Sequence, residues 1–260
     1  MRFGICTGLE NLELVEKLGF DYIEPQVSKI AEYTQEEFDS WKEKLAQAKI
    51  SCETFNVLFP GTIHCIGEEY DEDTLVEYLN RALARVEELG GEIVVFGSGK
   101  QRSCPDYVPF EEGVRQLVYV YRLVGEIAAK YHLTVVIEPL NRTETNMICT
   151  MAEGAMLAGM VDLPNVKLLA DYYHVAKDND PISDISRIGN LAHTHIATKE
   201  GRRYPLQKEG DQFDEFFKQL KGIGYEGRVS IEGGTDCMEE DAKKALAFLR
   251  ELDKECQEMA

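Results

Sequence analysis

Four short, strand-like stretches of the sequence each end in a side chain that can bind a metal ion. These side chains are Glu138 after Val-Val-Ile, Asp171 after Leu-Leu-Ala, His195 after Ala-His-Thr, and Glu232 after Val-Ser-Ile. Carboxylates at the ends of buried strands repel each other unless a cation lies between them. Three carboxylates and one imidazole suit Mn²⁺, Mg²⁺ or Co²⁺ better than a structural Zn²⁺, which prefers Cys and His. We therefore predict one divalent metal held by these four residues.

Other polar residues near strand ends are open to more than one interpretation. Glu24 and Asn56 also end predicted strands, and we expect Glu24 to line the substrate pocket. His193 lies two residues before His195, which places both imidazoles on one face of a strand, and it is equally compatible with a structural and a functional role. His64 follows the third predicted strand and is a candidate to line the pocket, although loop histidines often have no such role.

These residues require a fold that brings the carboxyl ends of distant strands together. Short β-branched or apolar runs alternate along the chain with longer segments of helical spacing, which indicates a parallel sheet covered by helices. Thr34 and Thr150 each begin a predicted helix with a capping-box pattern. The predicted strands are Arg2–Cys6, Tyr22–Glu24, Ser51–Asn56, Ile93–Phe96, Thr134–Glu138, Lys167–Asp171, Leu191–His195 and Arg228–Glu232.

Eight predicted strands with intervening helices favour an α/β fold of the (β/α)₈ TIM-barrel type, in which all strand ends meet at one mouth. We predict a single domain over residues 1–260. An open doubly wound sheet is the alternative. It has less support because no GxGxxG follows the first strand, and Phe96-Gly-Ser-Gly-Lys100 lacks the complete phosphate-loop pattern. That segment is better explained as a tight loop that leaves room for a ligand.

The composition excludes some classes of partner. The 260 residues carry a formal net charge of −19, which would repel nucleic acids and anionic membrane surfaces. Seven cysteines at irregular spacing, with no CxxC, indicate free thiols and a reducing compartment. The chain begins with no apolar leader, and no stretch approaches the length of a membrane helix. We therefore expect a cytoplasmic protein whose partner is a small molecule.

At these positions the sequence resembles the xylose-isomerase-like sugar isomerases and epimerases, a family of TIM barrels that includes ketose 3-epimerases of the D-tagatose type. The strongest motif is Glu138-Pro-Leu-Asn-Arg-Thr-Glu144, similar to the family's E-x-x-N-R-x-E, and the next is Asp171-Tyr-Tyr-His174, similar to its D-x-x-H. The shorter motifs that follow in the family's order are His193-Thr-His195, Gly201-Arg-Arg-Tyr-Pro205 and Ile231-Glu-Gly-Gly234. The resemblance covers essentially the whole chain.

The resemblance implies roles for individual residues. The four predicted ligands would bind one divalent metal, with Mn²⁺ as the first expectation and Mg²⁺ or Co²⁺ as alternatives. Glu138 and Glu232 would also act as acid and base, one on each face of the substrate. The residues implied to hold substrate oxygens are Glu144, His174 and one of the two arginines Arg202 and Arg203.

The implied function is the isomerisation or epimerisation of a keto sugar, a sugar phosphate or a keto-glycoside. One carboxylate would remove a C–H proton beside a metal-polarised carbonyl, giving a cis-enediolate, and the other would return a proton to the opposite face. The same residues could eliminate water, so an inosose-dehydratase-like lyase acting on a keto-polyol is the main alternative, and a non-catalytic sugar-binding barrel is a weaker one. The expected partner is a small carbohydrate, and a homo-oligomer, dimer or tetramer, is also open.

Overall fold

The computed structural model describes residues 1–258, and its centre is a sheet of eight strands. The strands are β1 (Arg2–Cys6), β2 (Tyr22–Glu24), β3 (Thr54–Phe55), β4 (Ile93–Phe96), β5 (Thr134–Ile137), β6 (Val166–Asp171), β7 (Leu191–Ile196) and β8 (Arg228–Ile231). Neighbouring strands are parallel and lie in the order β2-β1-β8-β7-β6-β5-β4-β3. The predicted eight parallel strands are therefore confirmed.

Isolated bridges join the two outer strands of this order and close the sheet into a barrel. Tyr22 pairs with Ser51, and Gln26 pairs with Asn56. Between Ser51 and Asn56, the two residues of β3 form a regular ladder, and its partner is β4. The strand predicted at residues 51–56 is consequently shorter in the structure, because only its middle keeps strand pairing while its two ends touch the neighbouring β2 segment.

Helices cover the outside of the barrel. They are α1 (Leu12–Leu18), α2 (Val27–Glu32), α3 (Gln35–Gln47), α4 (Glu72–Glu88), α5 (Gly99–Arg102), α6 (Phe110–Lys130), α7 (Met151–Val161), α8 (Tyr172–Asp178), α9 (Phe213–Gly222) and α10 (Met238–Glu258). The capping boxes predicted at Thr34 and Thr150 are confirmed. In α6, Leu117, Tyr121 and Val124 are buried together because side chains three and four positions apart share one helix face. Among the helices of residues 1–258, none is both long enough and apolar enough to span a membrane.

Alternation along the strands decides which side chains enter the barrel. Val136 and Leu169 belong to a small apolar cluster, whereas Val135 belongs to the main core under the helices. Successive side chains of a strand point to opposite faces, so the small cluster fills the barrel interior. Glu138 and Asp171 lie two positions beyond its members on the same face. Their carboxylates are thereby turned inward at the C-terminal mouth of the barrel.

Ion pairs close the opposite, N-terminal mouth. Glu53 is buried there and accepts hydrogen bonds from Nε of Arg228 and, at 2.8 Å, from Nη1 of Arg2. Arg228 also contacts the Glu92 carboxylate. The candidate residues and this charged network therefore occupy different ends of the barrel, with the apolar cluster between them.

Candidate active site

The four predicted metal ligands meet at the C-terminal mouth of the barrel. One donor atom from each of the residues lies within 4.8 Å of the donor atoms of the others; the residues are Glu138, Asp171, His195 and Glu232. Asp171 and His195 are direct partners in the β6–β7 ladder, and the two glutamates follow the last residues of β5 and β8. Strand alternation turns all of these side chains into the barrel. We call this group the ligand cluster.

The ligand cluster is buried and rich in negative charge. Asp171 and His195 expose 1% and 0% of their surface. Burial raises the pKa of Asp171 to about 7, although Arg202 opposes the shift. Burial and the neighbouring Glu232 raise the pKa of Glu138. Ionised carboxylates this close are unfavourable without a cation among them, and oxygen-rich donor sets are those that hard divalent cations prefer. The residues present therefore fit a divalent metal ion.

His195 is held from two sides. Its Nδ1 lies 3.0 Å from Oε2 of Glu232 and 3.3 Å from Oε1 of Glu138. Its Nε2 lies 2.9 Å from Oε1 of Glu24, and the carboxylate is the acceptor, so Nε2 carries a proton. Burial alone would lower the pKa of His195, but Glu232 and Glu24 raise it well above its usual value. Nδ1 is the atom that faces the ligand cluster, and Glu24 fixes the ring in that orientation.

Glu24, which was expected to line the substrate pocket, lies beneath the ligand cluster. The side chain is completely buried, and its carboxylate accepts hydrogen bonds from Oγ1 of Thr54, Oγ of Ser230, Nε2 of His193 and Nε2 of His195. Burial opposes ionisation, but the two histidines lower the pKa of Glu24 well below its usual value. With donors on both oxygens and no exposed surface, this carboxylate orients other side chains and has no face left for a substrate.

His193 and His195 both donate to the Glu24 carboxylate. This contact favours a structural role for His193 over a functional one. Its Nε2 donates to Oε2 of Glu24 at 2.9 Å, and its Nδ1 is buried without a hydrogen-bond partner in residues 1–258. Burial lowers the pKa of His193, although Glu24 opposes the shift. His193 therefore lies behind His195 as part of the layer that supports the ligand cluster.

His174 is a neutral hydrogen-bond donor whose tautomer follows from its neighbours. Its Nδ1 is 3.0 Å from the backbone N–H of Asn141, which can only donate, and 2.8 Å from Nδ2 of the same residue. Nδ1 is therefore the acceptor, and the proton is on Nε2, which lies 3.5 Å from Oδ2 of Asp171. Burial and Arg202 lower the pKa of His174 to about 3. Asn141 was not predicted as a site residue, although it lies in the motif that runs from Glu138 to Glu144.

Only one of the two candidate arginines enters the site. Nη2 of Arg202 lies 2.6 Å from Oε2 of Glu232 and 3.3 Å from Oδ2 of Asp171. Arg203 turns outward and pairs with Asp236, whose side chain is 90% exposed. Arg202 reaches inward from a left-handed backbone conformation, with φ of 48°. The structure therefore places Arg202 against the ligand cluster and Arg203 outside it.

The remaining predicted substrate contacts lie at different distances from the ligand cluster. The Glu144 carboxylate is 37% exposed at the rim, accepts a 2.8 Å hydrogen bond from Nδ2 of Asn141, and lies 3.7 Å from Nη1 of Arg202. The Nδ1 of His64 is 3.5 Å from Glu69, and the two side chains are 37% and 73% exposed. The structure thus places Glu144 beside the site and His64 on a surface loop, where its ion-pair partner belongs to that loop.

Two features near the glutamates were not assigned from the sequence. Nδ2 of Asn56 donates a 3.0 Å hydrogen bond to Oε1 of Glu232 and helps to hold it. Gly97 follows β4, and a Cβ atom there would lie 2.1 Å from Oε2 of Glu138. The Gly-rich segment predicted to leave room for a ligand therefore leaves room for a ligand-cluster side chain.

Comparisons with known proteins agree with this architecture. The family model for the xylose isomerase-like TIM barrel matches residues 12–252. The 3-dehydro-D-guloside 4-epimerase of Escherichia coli is 27% identical over 235 residues, which cover 86% of this chain and 86% of that protein. The D-psicose 3-epimerase of Agrobacterium fabrum is 27% identical over 273 residues, covering 92% of this chain and 91% of that protein.

A solved structure shows the same fold. The crystal structure of a D-psicose 3-epimerase in the presence of D-fructose aligns with a TM-score of 0.84 at 24% identity, over 97% of this chain and 99% of the other. The family match spans nearly the whole barrel, from α1 to α10. The chain belongs to the xylose isomerase-like TIM barrel family.

Proposed function

We propose that the chain is a divalent-metal-dependent epimerase that inverts a carbon beside the carbonyl group of a keto sugar or keto-glycoside. The observation that carries this proposal is the pair Glu138 and Glu232. Their carboxylates come from β5 and β8 and approach the same atom, Nδ1 of His195, at 3.3 and 3.0 Å. A substrate carbon bound above the ligand cluster would have a proton-transferring group on either side, which is what inversion requires.

The names of the relatives support this reaction class. The relative from Escherichia coli is named as an epimerase at carbon 4 of a sugar oxidised at carbon 3, so its reacting carbon is next to a carbonyl group. The relative from Agrobacterium fabrum is named as a 3-epimerase of D-psicose. Both names describe inversion at one carbon of a keto sugar, and we extend that reaction class to this chain because it has two carboxylates beside one imidazole, as inversion requires.

The ligand cluster would hold the metal, and we propose Mn²⁺, with Mg²⁺ and Co²⁺ as alternatives for the same donor set. When bound, such a cation polarises a substrate carbonyl and makes the neighbouring C–H bond more acidic. Four protein ligands leave room for substrate oxygens around a cation that accepts six. The Nε2–H of His174 and the guanidinium of Arg202 point into the same region, where each can donate a hydrogen bond to a substrate oxygen.

Each of the two glutamates is assigned one of the two proton transfers. Burial opposes ionisation of Glu232, but His195 and Arg202 hold its pKa well below the usual value. We assign Glu232 the removal of the C–H proton, with the electron pair of that bond moving to the carbonyl oxygen to give an enediolate. Glu138, whose carboxylate also lies beside Nδ1 of His195, would return a proton to the opposite face, which leaves the carbon inverted.

Uptake of solvent deuterium tests the proposed function. The Mn²⁺-loaded protein is incubated in D₂O with a ketohexose and, separately, with a 3-keto-glycoside, and the products are analysed by mass spectrometry and proton NMR after the metal is removed. We expect deuterium beside the carbonyl together with the epimer, and neither in chelated protein. Glu138→Gln and Glu232→Gln, compared at equal metal content, should each slow epimer formation by roughly 10²-fold or more.

Two other outcomes would contradict the epimerase. A metal-loaded protein that introduces no deuterium into either substrate does not transfer the proposed proton. A product lighter by one water would instead indicate the dehydratase reaction that the same residues could catalyse.

A further inference from the structure

A cleft leads away from the ligand cluster on the side of β1 and α2. Its volume is about 450 Å³, and it begins at Glu232. Its walls include Thr7, Gln26, Lys29, Tyr33 and Asn56. Ligand pockets in proteins commonly measure roughly 300 to 1,000 Å³, so the cleft is large enough to hold part of a substrate. Glu232 forms one wall of the cleft. A chemical group bound in the cleft would therefore be directly attached to the part of the substrate that reacts at Glu232.

The side chains of the cleft match a hydroxyl-rich ring. Pro25 and Ile30 are buried and give it an apolar floor, and Tyr33 adds an aromatic ring at intermediate exposure. Gln26 and Thr7 offer both donors and acceptors at its edge. A sugar ring combines C–H faces that pack on aromatic surface with hydroxyl groups that need such partners, whereas a purely apolar group would leave the polar edge unpaired.

The cleft is less suited to an anionic group. Its lining includes one cationic side chain, Lys29, which is 3.3 Å from the Glu32 carboxylate. The same lining contains Glu10 and Glu232, which would repel a phosphate. The charge of the cleft therefore favours a neutral occupant.

Asn56 supplies a hydrogen-bond acceptor at the junction of the cleft and the ligand cluster. The residue is only 4% exposed, and its Nδ2 is committed to Oε1 of Glu232 at 3.0 Å. Its Oδ1 is buried and has no hydrogen-bond partner in the part of the chain that the structure describes. Buried acceptors of this kind are normally paired, so this oxygen points to a donor, such as a hydroxyl group, brought by a ligand.

The C-terminal end of α2, which carries Tyr33, is held in place by a residue outside the site. Nη1 of Arg85, from α4, donates to the backbone carbonyl groups of Ile30 at 2.9 Å and of Tyr33 at 2.7 Å. These carbonyl groups lie at the C-terminal end of α2, where a helix leaves its last acceptors unpaired. The segment that carries Tyr33 is thereby fixed to the neighbouring helix α4. This favours binding, because the segment does not have to be ordered when a ligand binds.

We propose that the cleft is a subsite for a second sugar ring, so that the substrate is a keto-disaccharide whose oxidised ring lies over the ligand cluster and whose other ring lies along Tyr33. The inference rests on the proposed function for the position of the oxidised ring. It adds the class of substrate, a glycoside in which the group attached to the reacting ring is itself a sugar.

The first test compares two substrates with the same oxidised ring, a keto-disaccharide and the corresponding methyl keto-glycoside. In the wild-type protein we expect kcat/KM to be at least about tenfold higher for the keto-disaccharide, which corresponds to one well-packed ring. In Tyr33→Ala, the ratio of kcat/KM for the keto-disaccharide to kcat/KM for the methyl keto-glycoside should be no more than about three. Tyr119→Ala removes a half-exposed tyrosine from α6 and is the matched control, which should keep the wild-type ratio. Equal wild-type values for both substrates, or an unchanged ratio in Tyr33→Ala, would overturn the subsite.

A second test does not depend on turnover. Saturation-transfer NMR with the parent, unoxidised disaccharide should show transfer to protons of both rings in wild-type protein, and a loss of transfer to the second ring in Tyr33→Ala. Transfer confined to the first ring, or unaffected by Tyr33→Ala, contradicts the subsite even if the enzyme is active. Transfer to both rings without deuterium uptake in any keto sugar would support the subsite and contradict the proposed epimerase activity.

Discussion

Glu24 and His195 form a 2.9 Å hydrogen bond between Oε1 and Nε2, and both side chains are completely buried inside the barrel. The bond joins the end of β2 to the end of β7 and turns Nδ1 of His195 toward Glu138 and Glu232. A metal-binding histidine depends on such a partner for its orientation and basicity. Glu24 is therefore a positioning residue, and its effect should be visible in metal binding itself.

Glu24→Gln should weaken Mn²⁺ binding by about 10- to 100-fold. The amide has no charge and only one accepting oxygen, whereas the carboxylate satisfies the Nε2–H groups of His193 and His195 with separate oxygens. Isothermal titration calorimetry of the metal-free protein with Mn²⁺ measures this effect directly, without any substrate.

Glu53→Gln is the matched control for that experiment. It also neutralises a buried glutamate with several donors, but at the N-terminal mouth of the barrel, where Arg2 and Arg228 are its partners. It should change stability and leave the Mn²⁺ dissociation constant within about threefold of wild type. If folded Glu24→Gln binds Mn²⁺ as tightly as this control, the positioning role is wrong.

The two adjacent arginines should differ sharply in their effect on catalysis. Arg202→Ala removes a donor directed at Glu232 and Asp171, and we expect kcat to fall roughly 10²-fold. Arg203→Ala removes a surface pair with Asp236, so its kcat should stay within about threefold of wild type. Steady-state rates on the keto-glycoside decide the point, and a larger loss in Arg203→Ala would reverse the assignment.

Gly97→Ala should disturb Glu138 through a single methyl group. The added carbon would lie 2.1 Å from Oε2 of Glu138, which is too close for non-bonded atoms, so the carboxylate has to move. We expect at least about tenfold weaker Mn²⁺ binding in calorimetry. Gly61→Ala is the control, because nothing lies within 4 Å of a Cβ there. Indistinguishable binding by the two variants would show that Glu138 tolerates the displacement.

Glu53 should make the stability of the protein depend on acidity. Burial opposes its ionisation, but Arg228 lowers its pKa below the ordinary value of 4.5. A carboxyl with a lowered pKa stabilises the fold above the pKa of the unfolded chain, and this contribution is lost as the pH falls through the lower value in the folded state.

Urea unfolding over a pH series tests this expectation. At neutral pH, Glu53→Gln should be less stable than wild type by about 2 kcal/mol. The difference between the two proteins should shrink as the pH falls below about 4.5. If the difference in unfolding free energy between the two proteins stays constant as the pH falls, the ionisation of this carboxyl is not linked to folding.

The ligand cluster could be predicted because strand alternation is visible in a linear sequence. Val136 precedes Glu138, and Leu169 precedes Asp171, by two positions, so an inward-facing apolar residue is followed on the same face by a carboxylate. A parallel barrel then brings such ends together without further information.

The depth of a side chain inside the barrel could not be predicted in the same way. Glu24 contacts Ser230, which lies two residues before Glu232, because strands in a closed barrel are tilted and staggered relative to each other. The stagger is a property of the whole sheet, and no single strand encodes it. The choice between Arg202 and Arg203 likewise depends on a left-handed loop residue and on the pairing of Arg203 with Gly234.

The residues that would hold the ion and those that would hold the sugar belong to different parts of the chain. The ligand cluster lies at strand ends, whereas Arg202 and Tyr33 lie on connecting segments. Connecting segments tolerate replacement far better than barrel strands. The preferred sugar can therefore diverge among descendants of one ancestor while the ion and its proton chemistry persist, so two such proteins with the same strand-end residues need not share a substrate.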